Sequence, residues 1–502
     1  MIKLSDYLDI PTMRELSQSQ TVGKKRSVKR QYQAARTSRL DKNWTSTSTS
    51  ANYELYTSLR TLRARAREAA RNNSHFKKFL GMVRRNVIGP QGIQLQCRAK
   101  DKAGKMNRSL NKFIENIFYD WGRKETCSVS GKLSWIDAQN LFVTQLARDG
   151  EVLVQKVKTD NKFGFALRFI DVNYLDETYN TVLPNGNRII MSVELDQFDK
   201  PAAYWLTTPT SEYALPRIKT ELRKRVDAKD FIHAFLITDD ESQVRGLTWF
   251  HTALIDAKHL HGYKEGVITS AEAAAYQMGF FIKKADENEE YDEDEDEIYN
   301  APEINVSPLS MNIIDEDYDF KQFDPKQPTQ NHAQFYKSIL ADLATGLEVN
   351  YFSLAGDMEA VNLSTARLGL SEERDIWRYI QNFVTEHFLN DVFNEWLNIS
   401  FLSGLLKIST QELFQLRNPF WRARGWEYMD PAKEVSANRE ALETNQDSLT
   451  DVLAEKGVDI LELFESIQNE RELAAEFGIE LNYSKNPVTH PVDPNQNDQN
   501  SG

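Results

Sequence analysis

Three groups of residues in this 502-residue chain have types and spacings that could do chemistry. The densest is "ADENEEYDEDEDE", in which Asp286, Glu287, Glu289, Glu290, Asp292, Glu293, Asp294, Glu295, Asp296 and Glu297 are acidic. Such a run could gather divalent cations loosely. It lacks the glycine and the closing glutamate of an EF-hand loop, and like charges repel, so it reads as an extended, solvated loop. The second group is His251, His259 and His261. Two residues apart on a helix, His259 and His261 face different directions, so they do not make a metal pair. The third is Asp149 and Glu151, which flank Gly150 ahead of a strand and are accounted for by a β-turn. Cys97 and Cys127 have neither C-x-x-C spacing nor paired histidines nearby, which argues against a disulfide or a zinc site and for a reducing, cytoplasmic setting.

The motifs of several enzyme classes are missing. There is no G-x-x-x-x-G-K-[ST] phosphate loop, no G-x-S-x-G elbow, no dinucleotide fingerprint and no H-E-x-x-H. The sequence therefore points to no cofactor and no metal. No stretch approaches the 18 apolar residues of a membrane span, and "MIKLSDYLDIPTMREL" does not read as a signal peptide.

The elements around these groups follow from periodicity. Residues 1–50 are basic, then Ser/Thr-rich, and read as an arm. Helical spacing begins at Ala51, with Leu55, Leu59 and Leu62 on one face and Phe76, Phe79, Leu80 and Val83 on another; Asn73 or Ser74 can cap the second helix and Gly89-Pro90 end it. Helices over 108–122 and 134–148 precede a β-rich region, with strands in "EVLVQKVK", "FGFALRFID", "RIIMSVELD", "AAYWLTT" and "KDFIHAFLI". From Leu247 the pattern predicts a helix of about 35 residues, then the acidic run, strand-like residues 301–325 and another helix to Gly346. The stretch "GLEVNYFSLAGDMEAVNLSTARLGL" then reads as a long loop, a length that is usually functional. Beyond Ser364 comes the longest apolar periodicity in the chain, with Ile376, Ile380, Phe383, Val384, His387, Phe388, Val392, Trp396 and Ile399 at helical spacing. Asp430-Pro431 opens a helix to about Glu455, and a polar tail closes the chain. Net charge is −13, yet residues 21–110 carry 22 Lys and Arg against four Asp and Glu, leaving −31 on the rest. That asymmetry suggests a nucleic acid, a charged partner or charge-complementary subunits.

Five blocks resemble the lambda-like portal proteins of tailed bacteriophages: "RAREAARNNSHFKKFLGMVRRNVIGPQGIQLQ", "ARDGEVLV", "FIHAFLITDDESQVRGLTWFHTAL", "GLEVNYFSLAGDMEAVNLSTARLGLSEERDIW" and "DPAKEVSANREAL". They keep the family's order over about residues 55–475. The resemblance implies an α+β portal fold with a mixed wing, long stem helices, a clip insert and a helical crown, closing into a ring, usually of twelve copies. It implies a channel for DNA packaging by the terminase large subunit and for ejection, joined to head-completion and connector proteins and to capsid and scaffold, with no enzymatic activity. The location it implies is the portal vertex of the virion, after assembly in the host bacterial cytoplasm. On that basis residues 51–247 and 404–429 are expected in the wing, 248–284 and 326–346 in the stem, 285–325 in the clip, 347–366 in a tunnel loop, 367–403 in a helix across the subunit, 430–477 in the crown and 478–502 in a tail. Asp357, Met358, Glu359, Asn362 and Arg367 are the expected channel-lining residues for double-stranded DNA, and the ten acidic residues from Asp286 to Glu297 are expected to face terminase or connector. The basic segment 21–110 is expected to face outward or to pair with adjacent subunits. The alternatives are another virion structural protein, or a metal-dependent DNA-processing enzyme.

Overall fold

The computed structural model describes residues 49–101, 104–207, 223–275, 279–283, 318–322, 332–357, 362–426, 431–456, 458 and 460–479. The arm, the acidic run Asp286–Glu297, Met358, Glu359 and the C-terminal tail lie outside them. The chain divides into two units, Met1–Ser50 and Ala51–Gly502; all that follows concerns the second.

Helices α1 (Ala51–Asn72) and α2 (Ser74–Val83) are separated by Asn73, whose side chain accepts from the backbone N–H groups of His75 and Phe76. That is the N-cap the sequence suggests. A π-helical turn, Arg84–Ile88, ends at Gly89 and leads to β1 (Gln94–Gln96). Next come α3 (Arg108–Trp121), the short α4 (Lys124–Cys127) and α5 (Trp135–Asp149). Ser134 and Asp137 form a full capping box at the start of α5. Strands β2 (Glu151–Lys158), β3 (Phe165–Ile170), β4 (Thr181–Val182), β5 (Arg188–Ile190), β6 (Val193–Leu195), β7 (Pro201–Thr207), β8 (Arg223–Asp227) and β9 (Phe231–Phe235) follow. They make a three-stranded sheet ordered β3-β2-β9 and a five-stranded sheet ordered β4-β5-β6-β7-β8, both antiparallel.

Beyond them lie α6 (Leu254–Ala275), β10 (Gly279–Lys283), β11 (Tyr318–Gln322), α7 (His332–Gly346), α8 (Tyr351–Ala355) and α9 (Leu363–Val384). A second π-helical turn, Thr385–Leu389, joins α9 to α10 (Asn390–Leu402), followed by α11 (Thr410–Leu416) and β12 (Phe420–Arg422), which pairs with β1. The last helices are α12 (Pro431–Glu443), α13 (Leu449–Glu455) and α14 (Ile460–Glu476). Mixed helix and antiparallel sheet make the architecture α+β.

Three sequence expectations need correction. The helix expected over 248–284 runs only through Leu254–Ala275. Its supposed end, "GFFIK", is strand β10, because an aromatic and β-branched trio suits a pleated ribbon paired with β11. "RIIMSVELD" is not one strand. It folds back at Met191 and Ser192, with φ of 47° and 68°, into a two-residue hairpin between β5 and β6. Such a turn usually announces itself with Asn-Gly, and here neither residue does. The helix expected from Pro431 to Glu455 is two helices, with Asn445 at a φ of 56° between them.

The main core is aromatic. Phe118 lies edge-on to Trp135, Phe393 and Trp396 at 5.0 to 5.6 Å, and Phe142 stacks on Phe388 at 4.2 Å. These contacts tie α3 and α5 to the long helix at its π turn. Ile380, Val384, Phe388, Val392 and Trp396 are buried and Ile376, Phe383 and Ile399 half-buried, so this part of the stripe read from sequence is the face that packs, while His387 is exposed. Cys97 and Cys127 are buried and unbridged in this region.

Two backbone segments cross where β2 begins. A Cβ on Gly150 would sit 2.2 Å from the carbonyl carbon of Leu247, and one on Gly246 would sit 2.1 Å from the carbonyl oxygen of Gly150. Only glycine allows that approach. Gly246→Ala is therefore expected to destabilise the protein by about 3–5 kcal/mol or to abolish soluble expression. Gly81→Ala, where nothing lies within 4 Å, should change stability by less than about 1 kcal/mol in the same thermal melts.

Candidate functional site

The loop between the two long helices is shorter and better anchored than the sequence suggests. Glu348, at a φ of 55°, turns the chain out of α7, and Leu347, Val349 and Leu354 are buried, so the first half of the loop is packed. Asn350 is its hub. The Asn350 amide nitrogen donates to the Gly369 carbonyl at 2.7 Å and to Glu373 Oε2 at 2.9 Å, while its backbone N–H reaches the same oxygen at 3.1 Å. Trp377 Nε1 donates to Glu373 Oε1 at 3.2 Å, so a buried carboxylate on α9 is held from both sides. Gly369 permits the contact, since a Cβ there would lie 2.6 Å from Asn350 Oδ1. The short helix α8 ends in Gly356 at a φ of 78°.

The candidate lining residues divide accordingly. Asp357 is half-buried; Lys337 Nζ on α7 lies 2.8 Å from its Oδ2, and Tyr351 Oη donates to the same oxygen at 3.0 Å. Arg367, on the first turns of α9, pairs with Glu434 of α12 at 3.1 Å. Asn362 is exposed just before α9, and Met358 and Glu359 lie between Asp357 and Asn362 in the undescribed part. The structure thus makes Asp357 and Arg367 tethers of the loop's two ends, to α7 and to α12 respectively. Sequence reading missed Lys337, Asn350, Glu373 and Glu434, whose partners are distant in the chain.

Helices α6 and α7 run antiparallel beneath this loop. Thr252, two residues ahead of α6, donates to the Gly346 carbonyl at the end of α7 at 2.6 Å, while Tyr263 in mid-α6 meets His332 at the start of α7, Oη to Nδ1 at 2.9 Å. From His261 to Glu272 no side chain of α6 is buried.

The stretch ahead of α6 is fixed by a buried charge cluster. Glu151 is fully buried. Its Oε1 accepts from Arg63 Nη2 at 2.6 Å and Arg245 Nη2 at 2.7 Å; its Oε2 accepts from Arg245 Nε at 2.8 Å and from the Gly246 N–H at 3.2 Å, with His233 Nε2 at 3.0 Å. Beside it, Asp149 and Asp171 both chelate Arg67. Asp149 and Glu151 are therefore not explained by a turn alone, as the sequence reading has it. The basic segment does not all face outward either, since Arg63 is buried and Arg67 is turned inward. Burial is the largest single influence on Glu151 and pushes its carboxyl up, but Arg245, the His233 hydrogen bond and Arg63 together outweigh it and hold it well below the ordinary range. Among the described residues no group of three or more His, Cys, Asp or Glu is placed to hold a metal ion, and no helix is long and apolar enough to cross a membrane.

The glycine crossing locked by Glu151 and Arg245, and the anchored loop leading into α9, lie within the resembling blocks. The chain belongs to the lambda family of phage portal proteins: that family's model matches residues 37–381. The probable portal protein of Halomonas phage phiHAP-1 is 33% identical over 510 residues, covering 99% of this chain and 96% of that one. Among solved structures, a chain in the neck of an empty gene transfer agent particle aligns with 80% of this chain and 94% of its own at 12% identity and a TM-score of 0.41. A chain of the native gene transfer agent virion aligns with 79% of this chain and 92% of its own, at 12% identity and a TM-score of 0.39.

The sign of the acid response follows from Glu151. Its depressed folded value contributes stability that is present above the ordinary value near 4.5 and is lost as pH falls through the folded value. Thermal midpoints between pH 7 and pH 3 should fall on acidification. Glu151→Gln, which strands Arg63 and Arg245, should cost about 3–5 kcal/mol at pH 7 and flatten the acid limb of that curve.

Proposed function

We propose that the chain closes into a ring, twelve copies in the virion, at one capsid vertex. The ring is the conduit for double-stranded DNA driven by terminase and later ejected, and the seat for head-completion and connector proteins. It is a structural protein without catalysis of its own. The observation that carries this beyond family membership is the exposed helix. From His261 to Glu272, α6 meets α7 through Tyr263 but buries no side chain fully and leaves most of its surface exposed, which is what a helix packed between neighbouring subunits looks like in a single copy.

On this reading α6 and α7 form the stem within 248–284 and 326–346, residues 285–325 the clip, 51–247 and 404–429 the wing, and 430–477 the crown. Of the stretch 347–366, the part between Asp357 and Leu363 projects into the bore, since Leu347, Val349 and Leu354 are packed, and the α9–α10 helix lies behind it. Asp357 and Arg367 hold the ends while Met358, Glu359 and Asn362 form the tip. The carboxylates from Asp286 to Glu297, repeated around the ring, make a negative annulus that a basic terminase or connector surface meets. A conduit must not grip its cargo. Phosphate neutralisation by many cations binds tightly through counterion release, whereas an acidic wall eases sliding.

Negative-stain imaging of the purified protein with mass measurement should show closed rings with a central hole; a stable monomer or small oligomer under assembly conditions would remove the ring reading. Deleting residues 358–361 should leave rings intact and lower packaged DNA by about tenfold or more, the loss of one positioning contact set. Replacing Asp286–Glu297 with a Gly/Ser stretch of equal length should weaken terminase capture by immobilised rings, and unchanged capture would take that role from the clip.

A further inference from the structure

The neck of the loop is closed by a polar latch, and each of its three members departs from what local structure favours. Asn350 stands at the N-cap of α8 yet makes no capping hydrogen bond. Its side chain donates across to α9 instead, to the Gly369 carbonyl at 2.7 Å and to Glu373 Oε2 at 2.9 Å. Asparagine is among the best N-cap residues, so this contact is made at the expense of a five-residue helix. Gly369 lies inside α9, where glycine is a poorer helix former than alanine. What calls for glycine there is space, since a Cβ would lie 2.6 Å from Asn350 Oδ1 and 3.4 Å from Phe352 Cε1. Glu373 is 5% exposed, and its three donors, the Asn350 N–H, the Asn350 amide and Trp377 Nε1, are all neutral. A buried carboxylate without a cation partner is costly to desolvate.

Asn350 precedes residues 357–362 in the chain, and Gly369 and Glu373 follow them, so these bonds join the two arms of the loop. The tethers farther out, Lys337 with Asp357 and Arg367 with Glu434, each include a side chain that is nearly half exposed, and such pairs hold weakly. The buried latch is the contact that fixes the spacing of the arms. Stability alone would be better served here by an apolar contact, by alanine at 369 and by a capped α8. Departures from local rules that gather at one point mark a functional constraint. We propose that Asn350, Gly369 and Glu373 are positioning residues of the conduit: the latch sets how α8 and α9 diverge, and with that where residues 358–361 stand in the bore. This rests on the portal reading of the loop.

The test compares proheads carrying rings of full-length variants for DNA packaged by terminase, with rings imaged, thermal midpoints measured and amide hydrogen exchange followed in 347–366. Asn350→Ala should leave rings intact, speed exchange in 347–366 by about tenfold, the loss of hydrogen bonds to a charged group, and lower packaged DNA by about tenfold. Gly369→Ala should act in the same direction, because its methyl group displaces the Asn350 amide. Gly81→Ala, where nothing lies within 4 Å, is the control and should change neither. The decisive variant is Gly369→Ala/Asn350→Ala. It removes the clash and adds a better helix former, so its midpoint should return to within about 2–4 °C of wild type while packaging stays low. Packaging that recovers together with the midpoint would make the latch structural only and overturn the proposal, as would wild-type packaging in Asn350→Ala. If the double variant does not fold, Asn350→Asp keeps the shape and sets a like charge against Glu373; it should give the same losses, and unchanged packaging would again overturn the latch. Wild-type rings that package no DNA would remove the portal reading itself, whereas variants that package as well as a competent wild type would remove only the latch.

Discussion

Glu151 is the constraint on which the arrangement of α1, the two larger sheets and the entry to α6 depends. One carboxylate with no solvent contact receives guanidinium groups from α1 and from the segment ahead of α6, an imidazole from β9 and a backbone N–H from Gly246. Arg245 then reaches past it to the carbonyls of Val172, Leu175 and Met191. The left-handed hairpin at Met191–Ser192 is costly for residues with side chains. It is held by that guanidinium, by Asn180 Oδ1 accepting from the Met191 N–H at 2.8 Å, and by Ser192 Oγ donating to the Asp176 carbonyl at 2.9 Å. A buried ion cluster is weak support for stability compared with apolar packing. What it does here is fix register. Helix α1, two sheets and the entry to α6 can meet at this carboxylate in one arrangement, because in any other at least one buried charge loses its partner.

The glycine crossing is the steric half of the same device. Gly150 and Gly246 must lie in contact for Arg245 and Glu151 to be neighbours, since each residue is one position from its glycine. The entry into α6 inherits that precision. The Trp249 N–H donates to the Ala147 carbonyl at 3.1 Å, and Phe250 packs on Phe76 at 4.4 Å, so α6 leaves the core in a direction set by α5 and α2.

Much of this architecture was legible because it is local. The caps at Asn73 and Ser134, strand β2 and the stripe from Ile380 to Trp396 follow from spacing alone. The errors arise where a long-range contact overrides a local signal. The alanine-rich run after Ser270 looks helical up to Lys283, but pairing with β11 makes its last residues a strand. Met191 and Ser192 carry no turn signature; their hairpin is dictated by a guanidinium more than 50 residues away in sequence. The anchors of the loop were hidden for the same reason. Asp357 reads as a free carboxylate in sequence because Lys337 is a helix away, and Glu373 reads as a surface residue of a helix although Asn350 and Trp377 bury it.

Charge shows best why position outranks composition. The basic excess of residues 21–110 reads as one property, yet two pairs of its described members lie in contrasting environments. Arg63 and Arg67 are neutralised by Glu151, Glu177, Asp149 and Asp171. Arg84 and Arg85, about three turns beyond the cap at Asn73, stand exposed beside a cleft that Arg374, Arg422 and Arg424 also line. A cation paired in the interior contributes little field outside, because its partner cancels it at the distance of a hydrogen bond. The same residue type therefore locks the fold in one place and stands at the surface in another, and what separates the two is where distant parts of the chain meet it, which local sequence does not show.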